Sequence, residues 1–272
     1  MITRLSEILS AAKEGHYGVP ALSSVNEMTC RAAIKAAEDV RSPLILLEGL
    51  IYDGGLSSFL AHQVGLCEEA KVPVAIIRDH AGTMEESLIG VRAGFDSVMI
   101  DMSKLPYEQN RTKVAEFVYV AHACGVEVEA ELGHVGAGSE DQSVLTIPDE
   151  AARYVDETGV DFLAVAIGTS HGIYQGTPRI DFELLDELLE AISVPLVLHG
   201  ASGTGDDNIA RCCRQGICKV NVATDLFIAA RDAAQRTDLS GKNVYGIYDS
   251  ICAGFAAEAS RWMRLCGSAG RC

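Results

Sequence analysis

Basic residues are scarce in the sequence. It has 22 Lys and Arg against 38 Asp and Glu, which gives a formal net charge of −16. A nucleic-acid-binding protein needs a basic surface to meet the phosphates, so this composition argues against nucleic acid as a partner. The negative charge also means that an anionic substrate must be held by local donors, against the field of the whole chain.

Long apolar runs and a signal-peptide pattern are also missing. No run reaches the roughly 20 apolar residues that a membrane-spanning helix needs. The first residues, 1–7, contain no apolar core of a secretory signal. The nine cysteines show no spacing typical of disulfide pairing or metal binding, which favours reduced, mostly buried thiols. We therefore expect a cytoplasmic protein that does not bind a membrane.

Aromatic residues make up only 6% of the 272 residues, whereas 48% are hydrophobic. This composition and length suit one large α/β domain, residues 1–272, better than two small ones. Eight short β-rich runs alternate with amphipathic helical stretches, and their starts are about 25 to 35 residues apart, the spacing of β/α units. The runs are 17–22, 43–47, 73–78, 97–101, 126–131, 161–167, 194–199 and 217–222.

Eight β/α pairs are the number that forms a closed (β/α)8 (TIM) barrel. Several runs are apolar nearly throughout, as strands covered on both faces must be. An open, doubly wound sheet is the alternative, but the first turn lacks the Gly-x-Gly-x-x-Gly pattern. We predict the barrel, with extra helices at 6–15 and 244–262.

Three histidines, His80, His171 and His199, end or follow apolar runs of the predicted barrel. The carboxyl ends of its strands lie at one face, so the imidazoles should converge there. Three neutral imidazoles can hold one catalytic divalent metal ion per chain and leave coordination positions open. Asp101 and Glu131 end neighbouring runs and are candidates to orient the imidazoles or to bind the ion directly.

Two further segments predict an anion site. A Gly-rich turn follows the seventh run, and the eighth run leads directly into a helix. Small residues let backbone N–H groups approach a ligand, and the two corresponding loops of a barrel often bind phosphate. An ordinary turn followed by a helix cap is the alternative. The candidate residues are Gly200, Ala201, Ser202, Asn221, Val222, Ala223 and Thr224.

A Gly-rich segment at 133–143 lies between the fifth run and the next helix. Its glycines would suit a mobile lid, which could carry Glu140 or Asp141 into the site on closure. An exposed flexible loop with solvated acids is an equally good interpretation. The segment therefore supplies a candidate lid and a candidate acid, but no definite role.

The motifs resemble those of the class II, zinc-dependent ketose-bisphosphate aldolases, especially the branch that contains tagatose-bisphosphate aldolase. The likeness extends over nearly the whole chain, and the matching strings are long. The matching segments are 79–80, 97–101, 128–133, 159–172, 195–202, 219–224 and 266–269.

The resemblance implies a lyase that reversibly cleaves a ketose (bis)phosphate to dihydroxyacetone phosphate and an aldehyde. It implies Zn²⁺ on the three histidines, with room for a monovalent cation. It also implies that Asp79 is the acid/base at the aldehyde-derived oxygen, that Glu140 supplies the base for the enediolate, and that Gly172 joins the phosphate site. A homodimer or homotetramer is implied as well, and the apolar segment 251–265 could dock on a neighbour.

The chain departs from the family pattern around the aldehyde end of the site. Ser23 and Ser24 stand where the family has Phe-Asn, and Arg78 replaces an aliphatic residue. The substrate is therefore fructose- or tagatose-bisphosphate-like, or another phosphorylated or acidic sugar derivative. Arg78 either grips an anionic group of the aldehyde or faces away and pairs with Asp101 or Glu129.

Three other functions fit the sequence less well. A Schiff-base aldolase needs a lysine near the substrate carbonyl, but 161–167 contains none, and Lys219 is expected to pack or pair locally. A metal-dependent hydrolase on a barrel commonly starts with His-x-His, which is absent from the first run. A non-catalytic barrel would have no reason to carry all three histidines and Asp79.

Overall fold

A computed structural model describes residues 1–49, 55–137, 143–172, 178–240 and 243–272. In these residues eight parallel strands pair in chain order, and the eighth pairs with the first. The closed ring confirms the predicted (β/α)8 barrel, and an open sheet is excluded. The strands are β1 (Val19–Ser23), β2 (Leu44–Glu48), β3 (Val74–Ala81), β4 (Ser97–Ile100), β5 (Glu127–Leu132), β6 (Phe162–Val165), β7 (Leu196–Leu198) and β8 (Ile217–Val222).

Helices alternate with the strands, and one helix is added at each end of the series. Each of the eight strands is followed by a helix on the outside of the barrel. The helices are α1 (Leu5–Gly15), α2 (Glu27–Val40), α3 (Leu56–Glu68), α4 (Met84–Ala93), α5 (Tyr107–Ala123), α6 (Pro148–Thr158), α7 (Phe182–Ala191), α8 (Asp206–Gln215), α9 (Thr224–Gln235) and α10 (Gly246–Cys266).

Alternation along the strands divides the buried side chains into two cores. In β2, Leu44 and Leu46 pack against the surrounding helices, whereas Ile45 and Leu47 fill the inside of the barrel. The cause is the two-residue period of a strand, which turns successive side chains to opposite faces. A polar residue near the end of a strand therefore faces either the barrel mouth or the helical layer, depending on its position.

The first helix, α1, covers the amino-terminal end of the barrel. Its buried Leu5 and Leu9 belong to the same apolar cluster as the side chains of the barrel interior. Arg4 Nε donates to Glu127 Oε1 at 2.9 Å, and the backbone N–H of Ser6 donates to the same carboxylate. The predicted helix at 6–15 is thus present, and it leaves the carboxyl end of the strands for ligands.

The last helix, α10, packs on α2 and α9 of the same chain. Its Phe255, Trp262 and Met263 are buried in that contact. The apolar segment 251–265 therefore gives no reason to expect a neighbouring subunit, and the oligomeric state stays a prediction. Neither α10, with 21 residues, nor any other helix in the described part of the chain is long and apolar enough to cross a membrane.

Glu48 ends β2 on the outer face, and it is only 1% exposed. Among the described residues neither of its carboxyl oxygens has a hydrogen-bond partner, and the same holds for Oε1 of Gln63 on α3. Burial raises the pKa of Glu48 to about 9, although the neighbouring Gln63 amide partly offsets the rise. The carboxyl is thus protonated at neutral pH, and a protonated carboxyl can donate to an amide oxygen.

Candidate active site

The three histidines meet at the carboxyl end of the barrel. Each offers a ring nitrogen, and these nitrogens lie within 4.8 Å of one another. The ring of His80 is 4.7 Å from that of His199 and 5.2 Å from that of His171, measured between centroids. They come from β3 and from the loops after β6 and β7. The closed barrel therefore brings together residues that are up to 119 positions apart (199 minus 80) in the chain.

A bulge near the end of β3 turns two consecutive side chains toward this site. The pairing of β3 with β4 shifts register between Arg78 and Ala81, and His80 has a φ of 47°. A regular strand would point Asp79 and His80 to opposite faces, but a bulge changes the direction of the chain and re-aims a side chain. Both residues consequently line the same cavity.

Each imidazole is oriented through its Nδ1 atom. His80 Nδ1 is 2.9 Å from Asp101 Oδ2, His171 Nδ1 is 2.9 Å from the carbonyl oxygen of Val135, and His199 Nδ1 is 3.1 Å from Glu131 Oε2. A carbonyl oxygen can only accept, so Nδ1 of His171 carries the proton and Nε2 keeps a lone pair. Asp101 and Glu131 are therefore placed to orient imidazoles. They also lie close enough to His80 to form a second group of potential metal ligands.

A buried ion pair lies beneath the histidines. Lys219 Nζ is 2.8 Å from Glu129 Oε2, both side chains are fully buried, and Glu129 Oε1 is 3.0 Å from His199 Nε2. Lys219 thus pairs locally, as the sequence indicates. The role of Glu129 was missed, although its position two residues before Glu131 predicts that both face the barrel interior.

His134 is a second residue that sequence reasoning left without a role. Its Nδ1 is 2.9 Å from Ser103 Oγ and 3.6 Å from Glu131 Oε1. The backbone N–H of Val135 donates to the same Glu131 oxygen at 2.8 Å. Glu131 is therefore held from two sides while it accepts from His199. No sequence pattern marks His134 beyond its place two residues after β5.

The charges of the site are strongly coupled. Burial lowers the pKa of His199, but its hydrogen bonds to Glu129 and Glu131 outweigh burial and raise the pKa to about 10. Burial raises the pKa of Glu131, yet hydrogen bonds from His134 and His199 bring it well below the usual range. Burial and the neighbouring imidazoles lower the pKa of His171, which stays neutral. The carboxylates are thus ionised and can stabilise positive charge.

Asp79 lines the cavity and is 7% exposed. Its Oδ1 accepts from Asn221 Nδ2 at 3.2 Å, and its Oδ2 is 3.9 Å from His80 Nε2. Burial raises its pKa, but the nearby charges of His80 and Lys219 outweigh burial and lower it. Asp79 is therefore an ionised carboxylate that faces the space next to the histidines and can accept a proton.

The predicted anion site forms one end of the cavity. Gly200 has a φ of 65°, and a Cβ atom there would lie 2.4 Å from the carbonyl oxygen of Ser170, so only glycine fits. The N-cap residue of α9, Ala223, offers no side-chain cap, although Ser202 Oγ accepts from the backbone N–H of Asp225 at 3.2 Å. The first turn of the helix begins at Thr224 on the cavity wall. The N–H groups and the positive end of the helix dipole suit an anion.

The cavity extends from this anion site to the ends of β1, β2 and β3. Its volume is about 270 Å³. Gly172, Gly200, Ala201, Ser202, Asn221, Val222, Ala223 and Thr224, all predicted to bind substrate, line it. At the other end it is lined by Ser23, Leu47 and Gly49. Ser23 is one of the residues at which the sequence departs from the family pattern.

Glu140 and Asp141 lie outside the described residues, so the position of the predicted loop acid is not part of this geometry. The described ends of that segment are tied together. The backbone groups of His134 and Val144 exchange two hydrogen bonds, both 2.8 Å long. Gly133 has a φ of 78°, and a Cβ atom there would lie 2.6 Å from the carbonyl oxygen of Val144. Position 133 therefore requires glycine, because the backbone there passes close to Val144.

Arg78 faces the helical layer and is 7% exposed. Its Nη1 donates to the carbonyl oxygens of Glu48 at 2.7 Å, Gly49 at 3.3 Å and Asp79 at 2.6 Å. Arg78 does not line the cavity in the described part of the chain, and its Nη1 donates to backbone carbonyls at the ends of β2 and β3. These contacts match neither a grip on the substrate nor a pair with Asp101 or Glu129. Arg78 instead ties together the two strand ends that carry Gly49 and Asp79.

We expect Arg78→Leu to lower the free energy of unfolding by about 2 to 4 kcal/mol, because it leaves buried carbonyls without a charged donor. Since those carbonyls belong to the strand ends beside Asp79, kcat/KM should fall by a similar factor for neutral and anionic aldehydes. Urea unfolding and aldol kinetics measure the two effects. A rise in KM confined to anionic aldehydes, with unchanged stability, would contradict this structural role.

Comparison with known proteins identifies relatives of the whole chain. The family model described as fructose-bisphosphate aldolase class-II matches residues 3–271. The crystal structure of the YdjI aldolase from Escherichia coli K12 is similar, with 32% sequence identity and a TM-score of 0.90, over 100% of this chain and 99% of that one. A fructose-bisphosphate aldolase (Fba) from Campylobacter jejuni, 21% identical, has the same fold, with a TM-score of 0.86 over 100% of this chain and 97% of that one.

Proposed function

The chain belongs to the class II fructose-bisphosphate aldolase family and is an aldolase, and on this premise we propose that it is a zinc-dependent enzyme. The reaction is reversible cleavage of a ketose phosphate to dihydroxyacetone phosphate and an aldehyde. The observation that carries the proposal is the convergence of His80, His171 and His199 beside the ionised Asp79, in a cavity whose other end suits a phosphate.

The donor set fits a divalent transition metal. Three imidazoles with open space beside them are typical of a catalytic zinc site. The ring of His171 is neutral and keeps a lone pair on Nε2. Asp101 contacts Nδ1 of His80, which leaves Nε2 of that ring for the metal as well. His199 has carboxylates at both nitrogens, so it gives up a proton when it binds the ion. His80, His171 and His199 would hold the metal, and Asp101 and Glu131 would orient two of them.

A divalent ion bound by these histidines would supply a Lewis acid, which stabilises negative charge on the dihydroxyacetone half. The chain's own groups do the rest. The N–H groups near Gly200 and the start of α9 hold the phosphate, which fixes the position of the carbon chain. Asp79 accepts the proton of the hydroxyl on the carbon that becomes the aldehyde.

Cleavage breaks one O–H bond and one C–C bond and forms one carbonyl group. The O–H bond breaks as its proton passes to Asp79, the C–O bond becomes a carbonyl, and the electron pair of the adjacent C–C bond stays with the dihydroxyacetone half. A second acid must return a proton to that carbon, and Glu140 is our proposal for it from the family resemblance. In the condensation direction Asp79 returns its proton to the new alkoxide.

A Schiff-base mechanism is disfavoured by the position of Lys219. Its ammonium group is fully buried and lies 2.8 Å from Glu129 Oε2. An ion-paired, charged amine is a poor nucleophile toward a carbonyl. It also does not line the cavity, in the part of the chain that the structure describes.

The test is an assay of aldol condensation and cleavage together with metal analysis. We expect one zinc ion per chain in protein purified without chelator, and loss of activity by at least about hundredfold after chelation, with recovery on adding zinc. His199→Ala should lose both metal and activity, whereas His122→Ala, on the exposed side of α5, should keep both. Full activity in metal-free protein would refute the proposal.

A further inference from the structure

Building on the aldolase function proposed above, we propose that the aldehyde half of the substrate carries no phosphate. The substrate would then be a ketose with a single phosphate on its dihydroxyacetone half and an unphosphorylated, hydroxylated remainder. The inference comes from the distribution of positive charge around the two ends of the cavity.

The two ends of the cavity differ in what they offer a ligand. One end has the N–H groups of Gly200 to Ser202 and the amino-terminal end of α9, which suit one phosphate. The other end is formed by Ser23, Leu47, Gly49 and Asp79. It presents a hydroxyl, an apolar side chain, a glycine backbone and a carboxyl group. None of the residues described as lining the cavity is Lys or Arg.

The loops around the barrel mouth contain almost no basic residues. Between each strand and the next helix, from β1 to α9, the sequence has only two, Lys104 and Arg179. This count includes residues 50–54, 138–142 and 173–177, whose sequences contain neither Lys nor Arg. Lys104 lines a separate depression with Tyr107 and Leu145. Arg179 is exposed after β6, on the side of the ring opposite β1 and β2.

The basic residues on β3 and β8 also make contacts away from the cavity. Arg78 points into the helical layer and donates to backbone carbonyls. Lys219 is buried beneath the histidines in its ion pair with Glu129. Neither lines the cavity in the described part of the chain, so a second phosphate at the aldehyde end would lack a positively charged side chain there.

A second phosphate would moreover lie beside the carboxyl group of Asp79, inside a chain of net charge −16. A partly buried anion without a cationic partner is strongly disfavoured. Sugar hydroxyls, in contrast, can form hydrogen bonds with Ser23 Oγ, the backbone of Gly49 and Oδ2 of Asp79. The aldehyde end is therefore suited to a polyhydroxy aldehyde and rejects a phosphorylated one.

The zinc-loaded enzyme should be assayed for condensation of dihydroxyacetone phosphate with D-glyceraldehyde and with D-glyceraldehyde 3-phosphate. We expect kcat/KM to be at least about tenfold higher for the unphosphorylated aldehyde, with the difference mainly in KM. Equal or better use of the phosphorylated aldehyde would overturn the inference and leave the aldolase function standing. Absence of condensation with both aldehydes, with zinc bound, would overturn the aldolase function and the inference with it.

A variant provides an independent arm of the test. Ser23→Lys adds a positive charge at the aldehyde end, whereas Ser10→Lys adds the same charge on the exposed face of α1, at the other end of the barrel. We expect Ser23→Lys to shift the ratio of kcat/KM toward the phosphorylated aldehyde by about tenfold, and Ser10→Lys to leave it unchanged. An unshifted ratio in a zinc-loaded Ser23→Lys protein would contradict the charge argument.

Discussion

Asp79→Asn should lower the turnover of both cleavage and condensation by roughly two to four orders of magnitude, the usual contribution of a positioned acid/base. The amide keeps the size of the side chain but cannot accept the substrate proton. Because Asp79 is 3.9 Å from the nearest ring nitrogen of His80 and orients no imidazole through Nδ1, zinc content should stay at one per chain. KM for dihydroxyacetone phosphate should change little, since the phosphate site lies on other strands.

Steady-state kinetics and metal analysis on the same preparations check this expectation. Asp39→Asn is a matched control, because Asp39 is exposed on α2 and pairs only with Lys35 in the described structure. It should leave turnover unchanged. A turnover of Asp79→Asn within tenfold of the unmodified protein would show that a different group moves this proton.

Glu48→Gln should stabilise the protein, and the gain should grow with pH. The carboxyl is buried and its pKa is raised to about 9 from an ordinary value of 4.5, so the folded state keeps a proton that the unfolded state releases. The stability contributed by this proton is fully present below about pH 4.5 and is lost as pH rises toward 9. Glutamine is neutral throughout and can donate to the free Oε1 of Gln63, so it avoids the loss.

We expect a difference in unfolding free energy near zero at pH 4.5, growing by up to about 1 kcal/mol per pH unit and reaching roughly 2 to 4 kcal/mol at pH 8. Urea unfolding at several pH values measures it. Glu69→Gln, a change at an exposed position just after α3, is the control and should show no such trend. A Glu48→Gln protein that is less stable than its parent at pH 8 would mean that Glu48 is ionised and paired.

The barrel and the convergence of the histidines could be predicted because both depend on simple regularities. Apolar runs at β/α spacing predict the strands, and parallel strands place their carboxyl ends together. The same two-residue period predicts correctly that Arg78 faces away from Asp79. The same period places Glu129 and Glu131 on one face of β5.

Other features of the site could not be predicted, because they depend on backbone geometry. Strand alternation alone would separate Asp79 from His80, and only the bulge in β3 turns both toward the cavity. The partners of Arg78 are backbone carbonyls, which carry no residue-specific signal in a sequence. The contact of His134 with Glu131 depends likewise on the turn after β5.

The pairing of β8 with β1 has a consequence for synthesis of the protein. All three histidines precede β8 in the chain, but Asn221, which donates to Asp79, lies within it. A nascent chain that ends before residue 217 therefore contains every proposed zinc ligand, yet it is an open sheet with two unpaired edges. Such edges invite association with other chains, so premature termination late in the message should yield aggregates rather than a weakly active enzyme.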